Sequence, residues 1–170
     1  MTSTTRSLGA TTTTRRSRLF ATVALGAAVA LGATGCTFMT PQSTTIQYSA
    51  AEGVNVYDSG PLEVRNAFIV ADEEGVLGNF VAAIVNDTAE AHTLRVSIGE
   101  GETVDLAIRV PANTVLSLGS DETSPVLIDG IEMLPGSDVP GFFESGDSEG
   151  ALISVPVLDG GLDYLAPLVP

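Results

Sequence analysis

The chain of 170 residues contains 21 acidic residues, seven arginines and no lysine, which gives a formal net charge of −14 at pH 7. Four arginines precede residue 36, so the remaining 135 residues carry three arginines and a net charge of −18. Such a surface repels phosphate backbones and anionic lipid headgroups, which bind through clustered lysine or arginine. The composition therefore excludes nucleic-acid binding. The absence of lysine beside abundant alanine, glycine and valine indicates a high-GC, actinobacterial genome.

The first 35 residues have the pattern of an export signal. Residues 1–18 are polar and hold four arginines, and an apolar stretch of 13 residues follows at 19–31. As a helix that stretch spans about 20 Å, which is short of the ~30 Å hydrocarbon core of a bilayer. We therefore interpret residues 1–35 as a signal peptide. The pair Arg15-Arg16 leaves twin-arginine export open beside general secretion.

The only cysteine, Cys36, closes this region. The sequence Leu31-Gly32-Ala33-Thr34-Gly35-Cys36 resembles the lipobox of bacterial lipoproteins. In that family the cysteine becomes the first residue of the mature protein and carries a thioether-linked diacylglycerol. The resemblance implies lipidation of Cys36 and a lipid anchor at the extracytoplasmic face of the cell membrane. The alternative is a buried cysteine that packs as a small hydrophobic residue.

The part of the chain after Cys36 is long enough for one domain and too short for two. Residues 36–53 are polar, rich in serine and threonine and without periodicity, which indicates a lipidated cysteine followed by a flexible tether. Residues 54–170 form the predicted domain. No disulfide is available to stabilise it, because Cys36 has no second cysteine to pair with.

Short β-type segments separated by turn residues follow in chain order, a pattern typical of an antiparallel sandwich or barrel. Residues 80–85 are apolar on both parities and predict a central strand covered on both faces. Asn66 falls on an apolar parity, which predicts a β-bulge, and Pro156 predicts a sheet edge or strand end. Helical spacing of apolar residues is absent after residue 40, so we expect an all-β fold. The predicted strands lie within residues 61–71, 80–85, 94–98, 104–110, 115–118, 126–128, 142–143 and 152–157.

Few residues are candidates for catalysis. His92 is the only histidine, and it lies in a polar turn with no nucleophile signature around it, which favours a surface role. The acidic residues cluster in turns and are typical of solvated surface rather than of a glycosidase pair. These acidic runs are Asp72-Glu73-Glu74, Asp121-Glu122 and Asp147 with Glu149.

Two loops carry motif-like sequences. Residues 145–150 contain oxygen ligands and glycines in the manner of a calcium loop but lack its full spacing, so we predict a hairpin turn. Asn86-Asp87-Thr88 matches a glycosylation sequon, which carries little weight in a bacterial lipoprotein.

Several segments recur in a known order: a strand ending Asn66-Ala67-Phe68, residues 80–86 with an acidic turn and Leu94-Arg95-Val96, then residues 109–118 and 150–156. Over residues 61–158 this order resembles the periplasmic copper-chaperone-like (PCuAC-like) domain, especially its divergent versions in actinobacterial lipoproteins. The resemblance implies a cupredoxin-like Greek-key β-sandwich of about seven to nine short antiparallel strands.

Copper in that family is held by two His/Met pairs, since imidazole and thioether sulfur suit Cu(I). The corresponding positions here contain neither residue, because Pro111 leads directly into the next strand and residues 124–128 read Ser-Pro-Val-Leu-Ile. Met133 lies close to the second position without a partner, and Met39 lies in the tether. We therefore assign no metal ligands and no cofactor.

The sequence thus predicts a lipid-anchored, non-enzymatic β-sandwich that acts as a binding or accessory module for an envelope protein partner. The alternative is a lipoprotein that handles copper or another metal through non-standard ligands. A small hydrolase is the least favoured class, because it needs a reactive serine or paired acids.

Overall fold

The computed structural model describes residues 51–170 and, before them, Val23 alone. The rest of the predicted signal peptide (residues 1–35), Cys36 and the other residues up to 50 lie outside the described residues. A short 3₁₀ helix, Ala166–Leu168, follows the last strand, and no helix in the described part of the chain is long and apolar enough to cross a membrane. The strands are β1 (Val54–Val56), β2 (Glu63–Ala71), β3 (Leu77–Asn86), β4 (His92–Ile98), β5 (Val104–Val110), β6 (Thr114–Leu118), β7 (Val126–Asp129), β8 (Asp138–Ser145) and β9 (Ala151–Leu158).

The all-β prediction is confirmed, and eight of the nine strands fall on predicted segments. The prediction missed β1, whose three residues are too few to show an alternating pattern. It also took β8 as two residues, Phe142-Phe143, although this strand begins at Asp138 and includes a proline and a glycine that disfavour strands in sequence reading.

Two sheets form the sandwich, and β9 connects them. In the first sheet β2 pairs with β1 and β3, and β3 also pairs with β6 and β7; the second has the order β5-β4-β8-β9. Non-consecutive neighbours such as β4–β8 and β3–β6 require the chain to cross between the sheets, as in Greek-key sandwiches. One pairing among the described strands departs from the predicted antiparallel order, because β9 runs parallel to β2 where it passes from one sheet to the other.

Pro156 lies at this passage. Its Cα partner is Asp138, the first residue of β8, and the next residue, Val157, pairs with Ile69 of β2. Pro156 is therefore the last residue of β9 that pairs with β8, and up to this residue β9 is the outermost strand of the second sheet, which confirms the predicted edge or strand-end placement. A residue without an N–H is tolerated here because the regular pairing with β8 ends at this point.

Side-chain alternation places the core between the sheets. In β4 the inward residues Leu94, Val96 and Ile98 are buried while the residues between them face outward, as the sequence predicted. Phe80 of β3 and Phe143 of β8 meet across the core, with ring centroids 6.3 Å apart and planes inclined by 41°. This is a favourable separation for an aromatic pair, so the two rings join the sheets at the centre of the domain.

The predicted bulge at Asn66 is confirmed. The register of β2 against β3 shifts between Arg65 and Phe68, and Asn66 itself has φ 51°. Its N–H donates to Oδ1 of Asn55 at 2.9 Å, and its own Oδ1 accepts from the N–H of Gly53 at 2.7 Å. The bulge therefore fixes the segment that leads into β1.

The prediction that β3 is covered on both faces is also confirmed. Phe80 and Ile84 face the core between the sheets, whereas Val81 faces outward. The C-terminal segment, residues 159–170, folds back over this outer face and buries Leu165 against it. Nδ2 of Asn79 donates to the carbonyl of Leu168 at 2.8 Å and holds the segment in place.

Candidate binding groove

The predicted soft metal donors do not meet in the structure. His92 is half-buried at the first residue of β4, beside Val110. Met133 is fully buried in the core and lies against Gly75 and Gly78, close to the loop that follows β4. A seven-residue strand spans about 20 Å, so these two side chains lie at opposite ends of the sandwich. Met39 and Cys36 lie outside the described residues.

The sequon at Asn86 is a structural site. Asn86 is completely buried, and its Nδ2 donates to the carbonyls of Glu90, Val110 and Pro111 at 2.8, 3.2 and 2.9 Å. Its Oδ1 accepts from the N–H and the hydroxyl of Thr88. The side chain thus fastens the β3–β4 and β5–β6 loops together, and the folded domain offers no exposed amide at this position.

The loop at 145–150 is the β8–β9 hairpin turn, as predicted. Ser145 is buried, and its Oγ donates to the carbonyl of Ser59 at 2.6 Å and accepts from the N–H of Leu62 at 3.2 Å. The hydroxyl of Ser148 donates to the carbonyl of Ser145 at 3.0 Å. These oxygens therefore support the local fold, and the two acids of the loop, Asp147 and Glu149, face solvent.

A groove of about 820 Å³ lies at the opposite end of the sandwich from these loops. It is formed by the β2–β3 turn (residues 72–76), the β4–β5 loop (residues 99–103), the β7–β8 loop (residues 130–137) and the start of β8. We call it the acidic groove, because six carboxylates line it. They belong to Glu74, Glu100, Glu102, Asp129, Glu132 and Asp138.

Backbone contacts fix the loops that form the acidic groove. Both carboxylate oxygens of Asp72 accept backbone N–H groups, from Val76 at 2.9 Å and from Leu77 at 3.3 Å, which closes the β2–β3 turn. The carbonyl of Gly75 then accepts the N–H of Met133 at 2.8 Å. Gly75 has φ 69°, and a Cβ there would come within 2.9 Å of the backbone of Leu134, so only glycine permits this approach.

The β4–β5 loop and the remainder of the β7–β8 loop are also held by hydrogen bonds. The N–H of Gly99 donates to the carbonyl of Pro140 at 2.9 Å, which ties the β4–β5 loop to β8. The N–H and the hydroxyl of Ser137 both donate to the carbonyl of Leu134, at 3.1 and 2.6 Å. The loops that form the groove are therefore held by hydrogen bonds to one another or to the sheets.

No arginine lines the acidic groove. In the described residues Arg65 lies on β2 with Nη2 2.8 Å from Oε2 of Glu63, and Arg95 lies on β4 with Nη1 3.5 Å from Oε1 of Glu144. Arg109 lies on β5, at the position paired with Thr93. The negative charge of the groove is therefore not compensated from within the described domain.

A smaller depression of about 260 Å³ lies on the outer face of the second sheet. Its polar groups are paired, since the hydroxyl of Ser97 donates to Oδ1 of Asp105 at 2.6 Å and Arg95 faces Glu144. Because its charges already have partners, we take the acidic groove as the candidate site.

The sequence analysis recognised Asp72-Glu73-Glu74 as one acidic turn but did not foresee the groove. Its acids come from three loops and from the adjoining ends of β7 and β8, over about 60 residues of sequence, and nothing in a linear pattern indicates that these segments share one end of a sandwich. The available signal was the combination of turn acids with exposed apolar residues such as Val76 and Leu134.

Neither a protein-family model nor a curated protein matches the chain. Among solved structures, the chain is similar to the copper-bound PCuAC domain from PmoF2, with a TM-score of 0.46 and 17% identity over 61% of this chain and 97% of that domain. It is also similar to the apo PmoF2 PCuAC domain, with a TM-score of 0.47 and 17% identity over 61% of this chain and 94% of that domain. Both are PCuAC domains, the type of domain that the sequence resembles.

Proposed function

We propose that the chain is a lipid-anchored lipoprotein of the extracytoplasmic face of the cell membrane, and that its β-sandwich is a non-enzymatic binding module. The observation that supports a binding role is the acidic groove, whose loops are hydrogen-bonded in place and whose charges have no arginine beside them. The lipobox-like sequence ending at Cys36 supports the anchor. The partner expected from this placement is another protein of the envelope.

The side chains of the described domain argue against hydrolysis. His92 is the only imidazole of the chain, and it lies at the end of the sandwich away from the acidic groove. The two buried serines, Ser59 and Ser145, use their hydroxyls to hold backbone carbonyls. A nucleophile needs an adjacent base with a free lone pair, and neither serine hydroxyl has such a partner among the described hydrogen bonds.

Handling of copper is the second candidate, because one of the similar solved structures is a copper-bound domain. The donors of this chain do not fit that metal, since the imidazole of His92 and the buried thioether of Met133 lie at opposite ends of the domain. Groups of three or more His, Cys, Asp or Glu side chains arranged to hold a metal ion are also absent from the described residues. The acidic groove therefore supports the first proposal better.

The anchor is tested by replacing Cys36 with alanine. In the unchanged chain we expect loss of residues 1–35, addition of a diacylglycerol to the new N-terminus and recovery in the membrane fraction, since two acyl chains give stable anchoring where one is marginal. Cys36→Ala should abolish lipid addition and leave the protein uncleaved or in another fraction. Intact mass and membrane fractionation are the measurements.

Ala33→Leu is the matched control, because leucine is the commoner residue at that position of the family's lipobox. This variant should be lipidated and anchored like the unchanged chain. A soluble, lipid-free mature protein in the unchanged chain would contradict the proposal.

A further inference from the structure

The acidic groove also has an apolar wall. This wall indicates the kind of partner that the groove binds, an inference that rests on the proposed binding function. Val76 and Leu134 are 55% and 46% exposed, and Ile131 is half-buried beside them. Val76 comes from the β2–β3 turn and the other two from the β7–β8 loop. Exposed apolar side chains scattered singly need no explanation, but three that line one groove favour contact with an apolar surface.

These side chains are presented by a preformed surface. The hydrogen bond from Met133 to Gly75 joins the loops that carry Val76 and Leu134, and Ser137 fixes the carbonyl of Leu134. A partner therefore meets loops that are already held in place by hydrogen bonds, which lowers the entropy cost of association. The volume of about 820 Å³ lies within the range of natural binding pockets.

Charge selects the partner. The six carboxylates of the acidic groove surround the apolar wall, and all of them are exposed. A neutral or acidic apolar segment would leave these charges beside an apolar surface, whereas lysine or arginine side chains would meet them at the rim. Complementary charges of this kind give specificity and a fast, salt-dependent association.

We propose that the acidic groove docks a basic, amphipathic segment of a protein partner, with apolar side chains against Val76, Ile131 and Leu134 and flanking lysine or arginine side chains against the carboxylates. A divalent cation would use the carboxylates but not the apolar wall. An anionic membrane surface would be repelled by the same charges.

The lysine-free composition makes the interaction directly testable by chemical crosslinking. A carbodiimide joins a carboxylate to an amine, and the only amine of this chain is its N-terminus, since it has no lysine. A crosslink from the acidic groove to a lysine side chain therefore comes from another molecule. The probe is the peptide acetyl-Lys-Lys-Leu-Val-Leu-Lys-Lys-amide, incubated with the purified full chain, and the crosslinked carboxylates are located by mass spectrometry.

We expect crosslinks on groove carboxylates and saturable binding of the peptide by calorimetry. Glu100→Gln, Glu102→Gln and Glu132→Gln combined should weaken binding about tenfold, because three exposed charge pairs are lost at a few tenths to 1 kcal/mol each. The matched control combines Glu90→Gln, Asp147→Asn and Glu149→Gln, which removes the same charge from exposed loops at the other end of the sandwich. That control should bind within about twofold of the unchanged chain.

The apolar wall is tested separately. Leu134→Ser should weaken binding about tenfold, the effect of losing one buried leucine-sized contact. A peptide with Ser-Thr-Ser in place of Leu-Val-Leu loses three apolar side chains and should weaken binding by more than that. Thermal melts show whether each variant is folded. Equal binding of the leucine-containing and serine-containing peptides would overturn the proposal in favour of a purely electrostatic surface.

Two further outcomes would also overturn the proposal: crosslinks spread evenly over groove and control acids, or saturable Ca²⁺ binding to the groove without peptide binding. Failure here is distinguishable from failure of the proposed function. A lipidated, membrane-anchored chain that ignores the peptide removes only the partner assignment, and a soluble chain that binds the peptide removes only the anchor.

Discussion

Met133 and His92 show how position decides the use of a residue that could bind a metal. Met133 is fully buried, and a Cβ added at Gly78 would come within 3.0 Å of its Sδ, so the thioether fills the space left by a glycine. Methionine is suited to this role because its unbranched side chain adapts to irregular gaps. His92 begins β4 at the other end of the domain. The thioether is therefore used for packing.

The positions of Met133 and His92 predict that the protein does not bind copper tightly. We expect the purified protein to take up no more Cu(I) in an anaerobic competition titration than an unrelated acidic protein, because a tight site needs several convergent soft ligands. His92→Ala and Met133→Leu should each leave the uptake unchanged. Met133→Leu should also preserve the fold, since swaps of similar volume in a core cost less than about 1.5 kcal/mol. A stoichiometric complex that either substitution abolishes would restore the metal-handling alternative.

The C-terminal segment is the element whose contacts were least visible in the sequence. Residues 159–170 cover the outer face of β2 and β3, where Leu165 packs with Phe68 and Val81. The hydroxyl of Tyr164 donates to Oε1 of Glu52 at 2.8 Å, which joins this segment to the residues that enter β1. The C-terminal segment is therefore held by packing against β2 and β3 and by a hydrogen bond to Glu52.

The hydrogen bond between Tyr164 and Glu52 shifts the pKa of both side chains. The Tyr164 hydroxyl lowers the pKa of the Glu52 carboxyl, and the same bond raises the pKa of Tyr164. The contribution of Glu52 to folding stability is therefore present above its pKa in the unfolded chain. It is lost as the pH falls through its lowered pKa in the folded chain. The contribution of Tyr164 is present below its unfolded pKa and is lost as the pH rises through the raised folded value. The stabilising contribution of this contact is thus fully present between roughly pH 5 and pH 10.

Leu165 tests the importance of the C-terminal segment. It is 2% exposed, so Leu165→Ala should lower the free energy of unfolding by about 2–5 kcal/mol, toward the lower end because a surface segment relaxes more easily than a core. Urea denaturation followed by circular dichroism is the measurement. Leu162→Ala is the matched control, since Leu162 is 51% exposed and should change stability by less than about 0.5 kcal/mol. Equal effects of the two substitutions would mean that the segment does not pack as described.

Local sequence patterns predicted the strands of this domain well and its long-range contacts poorly. The alternation in β4 and β5, the apolar run of β3 and the bulge at Asn66 all depend on near neighbours in sequence, and all were predicted. The parallel pairing of β9 with β2 depends on residues about 90 positions apart. The acidic groove has the same origin, because chain crossings between the sheets bring its loops to one end.

The net charge of the domain should lower its stability. Residues 51–170 carry three arginines and all 21 acids, and mutual repulsion of these charges destabilises the compact state. Raising NaCl from about 10 mM to about 150 mM shortens the Debye length from about 30 Å to about 8 Å. Screening worth about 1 kcal/mol should therefore raise the melting temperature by about 4 °C in a domain of this size.

CaCl₂ at equal ionic strength is the control, because screening alone gives a similar shift. A melting temperature that falls with NaCl would contradict self-repulsion. A larger shift with calcium that saturates near one equivalent would show specific cation binding instead of screening.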